Sequence, residues 1–259
     1  MKDLENKNAI ITGARTGICR AVVEAFAENG CNVWAVVHRD DSVFKADMKD
    51  LAERCGVWIK IVNINLEDEE DIRRGMREIT SEKIPIDILV NGAGITSPNR
   101  LIVMTPQKEM HRVMQVNFFA AVQMAQTVFK SMYRQQKGSI INIASIAGID
   151  GDLSQLEYGA SKAALICATK KMAYEWGDYG IRVNAIAPGI IDTKMMGDME
   201  PRVVEELIRK TSLHRSGKPT EIANLCIFLA SDKSSYISSE TIRIDGGGTN
   251  FVSTFKREE

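Results

Sequence analysis

Short, nearly continuous apolar runs alternate along the chain with longer stretches in which apolar positions recur every three or four residues. The runs Asn8–Thr12, Asn32–His38, Val57–Val62, Ile86–Asn91, Ser139–Ala144, Ile181–Ala187 and Thr241–Asp245 are rich in isoleucine and valine. They read as strands covered on both faces, because a half-exposed strand would alternate apolar with polar. Helical spacing covers Ile18–Asn29, Val43–Cys55, Asp68–Ile79, Thr105–Gln136, Leu153–Trp176, Pro201–Arg209 and Thr220–Ala230. Gly30, Gly56 and Gly138 stand where a helix hands over to a strand, the usual place for a C-terminal cap. Strict strand–helix alternation predicts an α/β fold: one doubly wound, parallel, seven-stranded sheet with helices on both faces. No linker, repeat or low-complexity segment divides residues 1–259, so a single domain is expected. The stretch Gly189–Ser216, with its glycines and Met195-Met196, interrupts the periodicity and is expected to be a lid over substrate.

Composition narrows the function classes. The chain has 259 residues, 33 Lys+Arg against 34 Asp+Glu, and a net charge of −1. That balance leaves no basic footprint for nucleic acid or an anionic membrane. No apolar run approaches bilayer length, and the first residues do not resemble a signal peptide. Cys19, Cys31, Cys55, Cys167 and Cys226 are scattered, odd in number and lack a CxxC pair, which fits a reducing cytoplasm. His38, His111 and His214 lie far apart, so no metal site is expected.

The first strand runs into Thr12-Gly13-Ala14-Arg15-Thr16-Gly17-Ile18-Cys19, a tight turn and a helix start. Glycine at 13 and 17 lets backbone approach a pyrophosphate, whose charge then faces the free N–H groups and dipole of the new helix. This reads as a dinucleotide site.

The motif Thr12-Gly13-x-x-x-Gly17-Ile18 resembles the glycine-rich signature of the short-chain dehydrogenase/reductase family. So do Asn91-Gly92-Ala93-Gly94, Ser145, Tyr158-x-x-x-Lys162, Pro188-Gly189 with Thr193, and Ile244-Asp245-Gly246-Gly247. Asn91–Ile95 and Gly180–Met195 are most similar to the 3-oxoacyl-(acyl-carrier-protein) reductase branch. Two departures stand out: Cys19 replaces the third motif glycine, and Gly92 replaces the second asparagine of the family's NNAG. The resemblance implies a Rossmann-like fold and an oxidoreductase that reduces a carbonyl to a secondary alcohol with NAD(P)H.

Tyrosine is a poor acid at neutral pH, and a lysine one helical turn away stabilises its phenolate. Tyr158 and Lys162 have that spacing, but so do Tyr133 and Lys137. Ser145 lies thirteen residues before Tyr158, at the C-terminal end of an expected central strand, where doubly wound sheets bind ligands; the corresponding position for Tyr133 is Ala120. Tyr158 is therefore the catalytic candidate.

The resemblance assigns roles. Ser145 orients the substrate carbonyl, Tyr158 donates the proton, and Lys162 holds the nicotinamide ribose and depresses the tyrosine pKa. Asn117 anchors a proton-relay water. Gly13, Arg15, Gly17 and Ile18 surround the pyrophosphate and adenosine ribose. Asn65 and Leu66 meet adenine, although Asn65 reads equally well as a helix cap. Asn91, Ala93 and Gly94 line the adenosine side, and Pro188, Gly189, Ile191 and Thr193 grip the carboxamide. It also implies a homotetramer in which Thr105–Gln136 and Leu153–Trp176, carrying Met110, Met114, Met124, Met132 and Met172, pair across two-fold axes.

NADP(H) is expected over NAD(H). Val37 stands where an acidic residue would accept from both ribose hydroxyls, and His38, Arg39 and Arg15 occupy that corner. Asp40 and Asp41 are the counter-indication if the strand slips by a residue or two. The substrate is a small-molecule or acyl-carrier-linked carbonyl compound; a sugar, polyol or steroid is the alternative. A non-catalytic nucleotide-binding regulator is the third reading, disfavoured by the intact set Asn117, Ser145, Tyr158 and Lys162.

Overall fold

The isoleucine- and valine-rich runs pair into one sheet in the computed structural model, which describes residues 2–98, 100–151, 155–197 and 200–248. The strands are β1 (Asn8–Thr12), β2 (Asn32–Val37), β3 (Ile59–Asn63), β4 (Ile88–Asn91), β5 (Gly138–Ile143), β6 (Ile181–Pro188) and β7 (Thr241–Ile244). All neighbours are parallel, in the order β3-β2-β1-β4-β5-β6-β7. The chain winds outward from β1 to β3, then returns to the other side of β1 with β4. That reversal opens a crevice above the C-terminal ends of β1 and β4, where doubly wound sheets take ligands.

The helices are α1 (Gly17–Glu28), α2 (Ser42–Cys55), α3 (Glu69–Ser81), α4 (Gln107–Met114), α5 (Ala120–Gln135), α6 (Ala147–Asp150), α7 (Leu156–Trp176), α8 (Lys194–Gly197), α9 (Pro201–Arg209) and α10 (Pro219–Ala230). They cover both faces, as expected. On one side Phe26 and Val22 of α1, Phe44 and Met48 of α2, and Ile222 and Leu229 of α10 pack on Ile11, Val33 and Ile141. On the other, Ile72 and Met76 of α3, Met124 and Met132 of α5, and Met172 of α7 pack on Ile10, Trp34 and Ile140.

Two expectations need correction. The single helix expected over Thr105–Gln136 is broken: α4 passes into a π-helical turn at Gln115–Phe119 before α5 resumes. Gly138 is no cap, since it opens β5; Gln136, in left-handed geometry at φ 52°, ends α5 instead. A Cβ at Gly138 would overlap the Met132 side chain, which is why glycine stands there. The expected lid contains α8 and α9 and is tied at each end, by bridges from Ile191 to Gly217 and from Thr211 to Gly248. Leu153, expected to open the helix before Tyr158, and the Met195 side chain lie outside the described residues.

Candidate active site

A cleft of about 1390 Å³ lies over the switch between β1 and β4. Its floor begins at the glycine loop. Gly13 has φ +72°, and a Cβ there would meet Ala93 Cα at 2.9 Å. Gly17 has φ +60°, and a Cβ there would lie 3.5 Å from Thr193 Cγ2. Only glycine allows this backbone geometry at low cost together with so close an approach of the β1 and β4 loops.

The start of α1 differs from its neighbours. Asp41 caps α2 by accepting from Phe44 N at 2.8 Å, and Asp68 caps α3 by accepting from Glu70 N at 2.9 Å. Thr16 makes no such bond at α1, whose first turn carries no acid. The uncapped N–H groups face the cleft beside Gly13 and Gly17, and they suit a diphosphate. The residues present therefore fit a dinucleotide.

Most expected cofactor residues line the cleft: Gly13, Gly17, Ile18, His38, Asn65, Leu66, Ala93, Gly94, Pro188, Gly189, Ile191 and Thr193. Asn91 does not. Its amide points behind the strand, where Nδ2 donates to Ala121 O at 3.1 Å and Asn142 Oδ1 at 3.0 Å, so it braces β4 against β5 and α5. Asn65 does not cap α3, a task taken by Asp68; its Oδ1 instead accepts from Glu67 N at 3.1 Å, closing a local turn.

β2 ends at Val37, one residue before the expected end at His38. Asp40 accepts from Asn63 Nδ2 at 3.2 Å and pairs with Lys45 at 3.0 Å. Asp41 pairs with Arg15 at 3.2 Å while capping α2. Arg39 is exposed and forms no ion pair with either aspartate.

At the other end of the cleft, Ser145 sits just past β5, its Oγ accepting from Ala147 N at 3.2 Å. Tyr158 and Lys162 lie one turn apart on α7, with Nζ 5.8 Å from the phenol ring centre. Lys162 is buried and donates to Ile143 O at 2.8 Å. Burial lowers its pKa to about 8. Burial raises the Tyr158 pKa, and a hydrogen bond with Ser145 opposes that rise.

Asn117 stands in the π-helical turn, buried behind the cleft. Its Oδ1 accepts from Ile95 N at 2.8 Å, and its Nδ2 donates to Ile95 O at 2.9 Å and Ser161 Oγ at 3.0 Å. The side chain thereby fixes the loop after β4, with both amide hydrogens used and one acceptor site left on Oδ1.

Sequence reasoning missed several lining residues. Ile146–Gly151, Thr96–Pro98 and Gln155 form the wall opposite the glycine loop, and Gln155 Nε2 donates to Ser97 O at 3.1 Å. Cys19, already marked out as the replacement for the third motif glycine, lies in the floor. Val203 and Leu207, one turn apart on α9, complete an apolar roof; that spacing was the available signal for the roof.

A family model described as enoyl-(acyl carrier protein) reductase matches residues 13–249. The 3-oxoacyl-(acyl-carrier-protein) reductase FabG of Thermotoga maritima is 37% identical over 247 residues, covering 94% of this chain and 98% of its own. The enzyme of the same name from Staphylococcus epidermidis is 37% identical over 249 residues, covering 93% and 98%. A crystal structure of a short-chain type dehydrogenase/reductase from Mycobacterium marinum superposes with a TM-score of 0.87 at 33% identity, covering 96% of this chain and 97% of that one. The chain belongs to the short-chain dehydrogenase/reductase family. It is an NAD(P)-dependent oxidoreductase acting between a carbonyl and an alcohol.

Proposed function

We propose that the chain reduces the 3-keto group of an acyl thioester carried on acyl-carrier protein, with NADPH as the reductant. The observation that carries this reading is the placement of two hydroxyl donors, Ser145 Oγ and Tyr158 Oη, in one cleft with a buried ammonium behind them. When bound, the nicotinamide supplies a hydride to the carbonyl carbon. As charge develops on the carbonyl oxygen, Ser145 holds that oxygen by hydrogen bond and Tyr158 delivers its proton there. Lys162, fixed by Ile143 O, stabilises the phenolate left on Tyr158 and reaches the ribose side. Asn117 fixes Ile95 in the loop beside the cleft and anchors the water that reprotonates the phenolate.

The relatives named 3-oxoacyl-(acyl-carrier-protein) reductase support the substrate class, and the apolar roof from Val203 and Leu207 suits an acyl chain better than a polyol. A substrate panel decides. Purified enzyme with NADPH should turn over acetoacetyl-acyl-carrier protein with a higher kcat/KM than sugar, polyol or steroid ketones. A steroid or sugar at the head of the panel would overturn the assignment.

NADPH preference rests on Arg39, exposed just past the end of β2 at Val37, with Asp40 held by Asn63 and Lys45 and Asp41 capping α2 while paired with Arg15. Arg39→Ala should lower kcat/KM for NADPH about tenfold, the loss of one charge-assisted contact, and leave NADH almost unchanged. Wild type favouring NADH refutes it. Residues 189–216 serve as a lid hinged at the Ile191 and Thr211 bridges: amide exchange there should slow on binding cofactor and substrate, and core-like protection without ligand counts against a lid.

The homotetramer is supported by apolar surface left open on this chain. Met124, Met132 and Met172 are core, but Phe119, Tyr174 and the run Leu101–Met104 are exposed. Light scattering at micromolar concentration should return four copies; a single 28.7 kDa species would exclude it. A cytoplasmic location fits the free cysteines and an acyl-carrier substrate. Among the described residues no helix is long and apolar enough to cross a membrane.

A further inference from the structure

Cys19 and Gly92, the two departures from the family motifs, are distant in the chain and in contact in the fold. Gly92 does not have positive φ, so its backbone does not demand glycine. What excludes a side chain is Cys19: a Cβ built on Gly92 would overlap Cys19 Sγ, while Ile143 Cγ1 at 3.2 Å and Thr12 O at 3.5 Å close the remaining space. Cys19, in turn, is 3% exposed. Burial pushes its thiol up to about 12, so it remains neutral and acts as an apolar filler in the first turn of α1.

The loop that Cys19 supports leads straight to the proton-handling residues. Gly92 N and Ala93 N donate to Thr12 Oγ1 at 3.0 and 3.1 Å, which fixes the start of the loop. A Cβ on Gly94 would lie 3.3 Å from Lys162 Nζ and 3.5 Å from Asn117 Oδ1. Ile95 exchanges both of its backbone hydrogen bonds with Asn117. Any shift at Gly92 is therefore passed, within three residues, to Lys162 and Asn117.

We propose that Cys19 and Gly92 form one reciprocal packing unit that sets the Gly92–Ile95 loop against Lys162 and Asn117. Cys19 is then a positioning residue for the reaction, and neither position tolerates the family residue unless the other changes with it. Asparagine at 92 needs the space the thiol occupies; glycine at 19 leaves that space empty under the loop. Only the paired exchange keeps it filled. The inference rests on the roles given above to Lys162 and Asn117.

The test is a double-mutant cycle of wild type, Gly92→Asn, Cys19→Gly and Cys19→Gly/Gly92→Asn. Each protein is measured for NADPH dissociation constant, melting temperature, and kcat and KM across pH with a β-keto ester. Gly92→Asn should lower kcat about 10–100-fold and displace the basic limb of its pH profile, as overpacking moves the loop. Cys19→Gly should lose roughly threefold to tenfold. The double variant should return to within about threefold of wild type with the original pH profile.

Losses that simply multiply in the double variant overturn the proposal. So does a cycle in which only melting temperature moves, which would make the contact structural alone. If Gly92→Asn does not fold, Gly92→Ala takes its place, and the double variant must still fold and turn over. Should wild type reduce no keto substrate, the proposed function falls separately. Coupling is then read in the NADPH dissociation constant, and its absence there overturns the pairing.

Discussion

Tyr133 and Tyr158 are each followed four residues later by a lysine, and the fold puts the two pairs to opposite uses. At Tyr133 the helix stops: Gln136 turns left-handed, and Lys137 leaves the helical surface to pair with Asp232 at 2.8 Å. Tyr133 itself is 47% exposed and packs edge-on against Tyr179 and beside Phe129, with ring centres 4.9 and 5.7 Å away. Tyr158 and Lys162 remain within α7 and share the turn that faces the cleft. Their environment is dry enough to move both pKa values, the phenol up and the ammonium down. Spacing of four therefore means proximity only where the backbone stays helical. In the proposed mechanism it means chemistry only where the turn lies over the C-terminal edge of the sheet, beside a second donor such as Ser145.

The largest expected effect tests that statement directly. Tyr158→Phe removes the acid and should lower kcat by at least about a hundredfold, within the range for loss of a general acid–base group, with little change in KM. A variant that keeps more than a tenth of wild-type kcat would place the acid elsewhere and erase the distinction between the pairs.

Lys162→Met separates activity from stability. The ammonium's pKa is about 8 in the fold against an ordinary 10.5, so between those values the unfolded chain binds more protons. Wild-type stability should accordingly rise as pH climbs from about 8 to 10.5, and burial of the charged lysine is a cost below that window. Lys162→Met removes the cost, at the expense of the bond to Ile143 O. It should abolish most turnover while raising stability at pH 7 by about 1–3 kcal/mol, a gain that vanishes near pH 10.5. Denaturant titrations at the two pH values check this, and equal differences at both would mean that Lys162 is not a buried cation.

How far the sequence carried the fold follows from the same physics. The five inner strands are buried almost throughout and carry a strong signal. The edge strands β3 and β7, only partly buried, still show in their isoleucine-rich runs. All seven therefore appear, with ends misplaced by a residue or two; β1 is matched at both ends. The π turn at Gln115–Phe119 was hidden because Val113, Val116 and Ala120 keep an apolar rhythm through it, and one inserted residue barely disturbs that rhythm. Asn91 and Asn117 look alike in sequence, as polar residues among apolar neighbours. Only their partners separate a brace between strands from a residue that fixes the loop at the site. The reason for Gly92 was invisible for a related cause: it depends on a side chain far away in sequence, and no local pattern records a volume shared by two positions.

Lys137→Ala should cost only a surface ion pair, less than about 1 kcal/mol and smaller still at high salt, with kcat unchanged. A change in kcat would show that this end of α5 communicates with the cleft, and would narrow the contrast between the two pairs.

The smallest effect is expected for Tyr133→Phe. The ring does its work through its face and edge, against Phe129 and Tyr179, and phenylalanine preserves both contacts. Its hydroxyl forms no hydrogen bond to another described residue, and the side chain is nearly half exposed, so its removal should leave no buried group unsatisfied. Stability should stay within about 0.5 kcal/mol of wild type, and kcat, KM and their pH profiles should coincide with it. The decisive comparison places Tyr133→Phe and Tyr158→Phe side by side under one assay, because the two changes delete the same atom from the same residue type at the same distance from a lysine. If Tyr133→Phe lost activity and Tyr158→Phe did not, the position of Ser145 and the continuity of α7 would have misidentified the acid.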